Sequence, residues 1–182
     1  MTATELDRWL PNPTVRIAHR REARASAARL WSAAQSIRLR DTRALGSLVR
    51  WRIPGLPADP TYDELFRSAP FTPLHETQHA LVSGLCGRIW TLRRDYPRLA
   101  GPDEFLGWSA PGTARVLFAH WVEPAGDGRS ALVSETRVAP VGRQGRIGLL
   151  AVRPLIVASQ NLIGSEPLTL AVRRAEGSDR KR

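Results

Sequence analysis

The chain has 182 residues, 42% of them hydrophobic, with one cysteine and a formal net charge of +10. That length and apolar fraction suffice for a single domain with its own core, and the lone Cys86 excludes an intrachain disulfide and a four-thiolate metal site. The most apolar stretch, residues 147–163, carries Arg153 and Pro154 at its centre and falls short of the ~20 residues a membrane-spanning helix needs, so no span is predicted.

Residues 1–13 read as a polar N-terminal extension, with Glu5 and Asp7 where a secretory leader would need basic residues before an apolar run. With a single thiol, a reducing cytoplasmic location is expected. Residues 14–20 alternate well enough for a first strand, Val15 and Ile17 sharing one face. A helix should follow, with Ser26 as N-cap and Leu30, Trp31, Ala34 and Ile37 as its core side. A second short helical stretch is predicted over 41–51, with Leu45, Leu48 and Val49 as its stripe. Pro54, Pro57 and Pro60 then mark a loop.

From 62 to 140 short apolar runs alternate with Gly, Pro and Asp, which reads as an antiparallel meander. Strands are predicted over 64–69, 76–83, 87–92, 104–108, 114–123 and 130–139. The last two flank PAGDG, a connection suited to a hairpin. In the first of them Val116, Phe118, His120 and Val122 share a face; in its partner Leu132, Ser134, Thr136 and Val138 do. Charges at Arg115, Glu123, Glu135 and Arg137 assign the opposite sets to solvent, so the first sets should face inward. Glu135 and Arg137 would then form a surface ion pair worth ~0–1 kcal/mol. A helix is predicted over 146–163 with Pro154 as a kink or first turn, then a break at GSEP and a shorter helix, with a disordered basic tail over 177–182.

The segment HETQH, residues 75–79, spells the zinc-metallopeptidase pattern. On a helix, His75 and His79 would converge on one metal, with Glu76 activating a bound water. On a strand they would stand about 13 Å apart, at ~3.3 Å per residue, and could not share an ion. The pattern leads into Val82, Ser83 and Gly84 in the middle of the meander, so strand is preferred, no metal is expected, and the zinc hydrolase stands as an alternative.

Charge raises a further alternative, an Arg-driven binder of nucleic acid or an acidic partner. Residues 1–60 hold eleven arginines against five acids, 61–130 seven against eight, and 131–182 nine basic residues against four acids. The basic runs are short and not interleaved with aromatics, so no specific nucleic-acid binding is expected. Cys86 lacks His and Asp partners in the pattern and reads as a buried strand residue; Gly142 and Gly145 make a turn rather than a phosphate cradle.

The order of strand, two helices, meander and long C-terminal helix, with VRIAHRREARASAARLWSAA at the front, LVSGLCGRIW, ARVLFAHWVEP, SETRV and finally RIGLLAVRPLIVAS, resembles the helix-grip proteins of the SRPBCC superfamily: START-related lipid-transfer proteins, polyketide cyclases and birch-pollen-allergen relatives. Gly84 to Trp90 and Ser134 to Arg137 are similar to runs in bacterial members. The resemblance implies an α+β fold over 14–176, a curved antiparallel sheet wrapped around a long C-terminal helix with two short helices after the first strand. It implies binding or transport of a hydrophobic, lipid- or polyketide-like molecule, with no cofactor and more often without catalysis. The cavity is expected to be lined by Val116, Phe118, His120, Leu132, Ser134 and Thr136 from the two long strands, by Trp90 and Trp108, and by Leu150 from the C-terminal helix. His120 is the one inward titrating group, and Trp121 is a further aromatic that could line the pocket. Oligomeric state is left open.

Overall fold

The computed structural model describes residues 3–42, 46–47, 59–91, 96–163 and 165–177, with side chains for all of these except 155–163. Strand β1 (Val15–Ala23) pairs with β5 (Arg129–Val141), β5 with β4 (Thr113–Gly126), β4 with β3 (Ala80–Gly87), and β3 with β2 (Thr72–Thr77). All pairs are antiparallel, giving one five-stranded sheet in the order β1-β5-β4-β3-β2. Between β4 and β5 the chain turns on Asp127 and Gly128, both at positive φ, the tight geometry that Asp-Gly supports.

The helices that accompany the sheet include α1 (Ala27–Gln35), α2 (Tyr62–Arg67), α3 (Pro102–Gly107), α4 (Gly142–Ile163) and α5 (Ser165–Gly177). α1 begins where expected, with Ser26 extended and its hydroxyl accepting from the Arg29 N–H. Leu30, Trp31 and Ala34 are buried, as their spacing predicts. The helix expected over 41–51 lies outside the described residues apart from Gly46 and Ser47, which are helical.

Several predicted strands are corrected. Residues 64–69 fall in α2 and its exit, because Thr61 and Glu64 form a reciprocal capping box that nucleates a helix there. Residues 104–108 likewise fall in α3, where Pro102 takes the first turn and Glu104 reaches back to the Ala100 N–H. The stretch 76–83 is a hairpin rather than one strand, turning on Gln78 and His79 between the paired residues Thr77 and Ala80. Strand character ends at Gly87 instead of continuing to 92, and residues 88–91 turn away.

The long C-terminal helix and the shorter one expected after GSEP are both present, as α4 and α5. α5 is the one gripped by the sheet: Leu168, Ala171 and Ala175, at spacings of three and four, are buried against α1 and β1. Arg174 anchors it to the Ser36 carbonyl and to Asp41, while Glu176 accepts from the Arg24 N–H. α4 carries Pro154 within it and meets the sheet at its N-terminal half, where Gly148 lets the Trp90 ring lie against its backbone; a Cβ there would sit 2.3 Å from that ring. The architecture is α+β, a helix-grip arrangement of curved antiparallel sheet and C-terminal helices. Among the described residues no helix is long and apolar enough to cross a membrane.

Both faces of the sheet are covered. The face carrying Val116, Phe118, His120, Leu132 and Val138 packs under α1, α2 and α5, as the alternation predicts. The opposite face was expected to meet solvent, and it does not. Leu117, Ala119, Trp121 and Val133 form a second core with Phe105 of α3 and with Leu6, Trp9 and Leu10 from residues 3–10. Gly84 makes room for the Phe105 ring, which would stand 2.5 Å from an added Cβ. Glu135 and Arg137 are therefore buried, not a surface pair, at 2% and 1% exposure. Arg137 Nε donates to Glu135 Oε1 at 2.6 Å and its Nη1 to Asp7 and the Leu10 carbonyl, while Arg16 donates to both Glu135 oxygens. Residues 3–10, read from the sequence as an extension, are held by this network. α5 ends at Gly177, and the basic tail beyond it lies outside the described residues.

Candidate functional site

The period-two pattern of β4 brings His120 to the concave face, and the register sets it directly between Leu81 of β3 and Ser134 of β5. α2 then closes over it. The Tyr62 N–H donates to the Ile37 carbonyl at 2.7 Å and the Ser83 hydroxyl to the Phe66 carbonyl at 2.7 Å, fixing α2 at both ends of its aromatic pair. The Phe66 and Tyr62 rings lie 4.6 and 4.9 Å from the imidazole, and Phe66 also meets Phe71 and Phe118. The result is an aromatic wall against one face of the imidazole.

Beside that wall is a cavity of about 20 Å³. Its lining comes from α1 (Trp31, Ala34, Gln35) and Ile37, from α2 (Tyr62, Asp63, Phe66), from the sheet (Leu81, His120, Leu132) and from the start of α5 (Pro167, Leu168). Such a volume holds about one water molecule. The imidazole Nδ1 stands 3.5 Å from the Tyr62 hydroxyl, which also bonds Ser134. His120 Nε2 is buried and has no partner. His19 of β1 faces the same way across Ser134, and its Nε2 is likewise buried and unpartnered.

Electrostatics make this site a hydrogen-bonding one. Burial pushes the His120 pKa down from 6.5 to about 3, opposed only by the field of Asp63. The imidazole is neutral at physiological pH, one nitrogen a donor and the other an acceptor. Burial likewise raises the Tyr62 phenol above its ordinary range. Asp63 is held by Gln35 and Arg67. Neither His120 as a base nor Tyr62 as an acid is poised near pH 7, where general acid–base catalysis is most effective.

Of the residues predicted to line a cavity, His120 and Leu132 do so. Ser134 is buried beside them, while Val116, Phe118 and Thr136 share the concave face outside the lining. Trp108 lies on the opposite face, its indole N–H donating to Thr113. Trp121 also belongs to that face. Trp90 serves as the seat of α4, and Leu150 is 60% exposed on α4. Sequence reasoning missed Tyr62, Phe66 and Trp31 as pocket residues. The Thr61–Glu64 capping box was the available signal for the first two.

At HETQH, His75 lies on β2 and is exposed, and His79 sits in the turn, so the helical convergence a zincin requires is replaced by a hairpin. Glu76 is taken up by Arg67 in a two-pronged ion pair. Among the described residues no group of three His, Cys, Asp or Glu side chains could hold a metal ion. Burial raises the Cys86 thiol to about 12, which keeps it protonated and inert, as its place on a strand suggested.

No family model and no curated protein matches the chain. Solved structures similar to it include the hypothetical protein jhp0584 from Helicobacter pylori, at 9% identity and a TM-score of 0.42, covering 93% of this chain and 94% of that one. Truncated norcoclaurine synthase from Thalictrum flavum follows at 14% identity and a TM-score of 0.41, covering 87% and 93%. The Zhui aromatase/cyclase from Streptomyces sp. R1128 gives 16% identity and a TM-score of 0.34, covering 90% and 97%. These are likenesses of overall shape, too distant to bear on function.

Proposed function

We propose that this protein binds a small, predominantly apolar molecule carrying one hydrogen-bonding group, at the pocket between His120 and the start of α5. The observation behind this reading is the unpartnered, buried Nε2 of His120 at a pocket whose lining is mostly apolar, with Gln35, Tyr62 and Asp63 as its other polar side chains. A buried polar atom left unpaired costs about 1–3 kcal/mol, which a carbonyl or hydroxyl on a guest would recover. Binding rather than turnover is favoured because burial moves both His120 and Tyr62 away from the pKa near 7 at which general acid–base catalysis is most effective. The cavity as it stands takes about one water, so a guest the size of an aromatic ring requires its lining to move apart. A lone buried thiol fits a cytoplasmic setting.

Native mass spectrometry of freshly purified protein, with thermal melts against a panel of phenols, naphthols and medium-chain ketones, tests the reading. The expected result is a retained mass or a ligand raising the melting temperature, by about 2.7 kcal/mol of stabilisation at a hundredfold excess over Kd. Leu132→Trp, which fills the cavity, should abolish it. The absence of both a retained mass and a shift with any member of the panel would overturn the proposal, leaving a water as the occupant.

A further inference from the structure

The first three turns of α4 present an apolar stripe to solvent. Ile147 and Leu150 are each 60% exposed, and Ala151 and Pro154, which continue the three- and four-residue spacing of that face, are exposed as well. The other side of the helix carries Gly145, Gly148, Leu149 and Val152, seated on Pro140 and Trp90. Over residues 142–154 α4 thus rests on the domain by one side only. Arginines border the stripe: Arg143 precedes it, and Arg146 and Arg153, two turns apart, run along one edge. All three are exposed and form no ion pair among the described residues. By contrast Arg16, Arg20, Arg38, Arg67, Arg129, Arg137 and Arg174 are each matched by a carboxylate. No Asp or Glu occurs anywhere from Gly142 to Ile163.

We propose that this face of α4 docks the protein on an anionic lipid surface, with Ile147 and Leu150 entering the boundary between headgroups and acyl chains and Arg143, Arg146 and Arg153 contacting the anionic headgroups. An aliphatic stripe edged with cations and free of acids is the pattern of a helix lying in the membrane interface. Each arginine close to such a surface adds to the attraction. A second copy of the chain would set arginine against arginine, with no acid on either helix to answer it. Nucleic acid would have no use for the aliphatic pair, since bases stack on aromatic rings and none is exposed on these turns. The inference is independent of the pocket reading.

Co-sedimentation of the full chain with vesicles of phosphatidylcholine, alone or mixed with phosphatidylserine, tests it. Partition onto the mixed vesicles, weak on the neutral ones and declining with added salt, is expected. Arg146→Gln and Arg153→Gln should each weaken it about fivefold. The double variant Ile147→Ser/Leu150→Ser should weaken it about tenfold or more, with an unchanged melting temperature because both side chains already face water. It should also keep any small molecule seen by native mass spectrometry, which separates failure here from failure of the pocket. The proposal fails if the wild-type chain does not partition onto the mixed vesicles. It fails equally if the serine variant binds them as well as wild type, or if light scattering shows self-association that this variant abolishes in place of vesicle binding.

Discussion

His120 shows how one residue's surroundings set its chemistry. The alternation along β4 placed it inward, but its neutral state follows from Tyr62, Phe66 and Leu81 closing around it, which no pattern along β4 encodes. Being neutral in the fold and able to gain a proton on unfolding below pH 6.5, it contributes stability that is whole above pH 6.5 and lost as pH falls toward its folded value of about 3. The loss amounts to at most about 1.4 kcal/mol per pH unit. In His120→Gln, urea melts between pH 6.5 and 4 should show a flatter decline than wild type; parallel declines would mean that the imidazole is solvated. Gly84 is a second single-residue constraint. An added methyl would meet the buried Phe105 ring, so Gly84→Ala should destabilise by about 1–3 kcal/mol, read from the denaturant midpoint.

At the scale of elements, the long signals were readable and the short ones were overridden. β4 and β5 run more than a dozen residues each, and their period of two survives any local ambiguity. α2 and α3 are six residues each, too short for a helical period to register, and their identity lies in their caps. Thr61→Ala removes the hydroxyl that accepts from the Glu64 N–H and should cost about 1 kcal/mol. Because α2 carries Tyr62 and Phe66, the same change should weaken binding at the pocket, measurable as a smaller ligand-induced thermal shift. The hairpin at Gln78 and His79 has the same lesson for HETQH: a five-residue pattern names a metal site only if the backbone coils, and pairing of β2 with β3 decides that it does not.

The whole molecule rests on two cores, one on each side of the sheet, and the second depends on residues 3–10. Leu10, at 1% exposure, seals the outer face, so Leu10→Ala should cost about 2–5 kcal/mol. Arg137→Met would leave Glu135 buried with Arg16 alone and should cost about 3 kcal/mol, lowering the melting temperature by roughly 6–12 °C for a chain of this size. A melting temperature within a degree of wild type would show that the network is solvated.

By itself the sequence determined the central hairpin, the capped first helix and the inward row from Val116 to Val122, since each is written as a local period or a turn, while the α+β class came from the resemblance that the order of elements carries. Tertiary structure alone decided that Glu135 and Arg137 are buried, that α5 rather than α4 is gripped, and that Tyr62 and Phe66 close the pocket. Charge along a strand marks solvent only when nothing from elsewhere covers it, and here residues 3–10, more than a hundred positions distant, supply both the apolar cover and the carboxylate of Asp7 that let an arginine be buried.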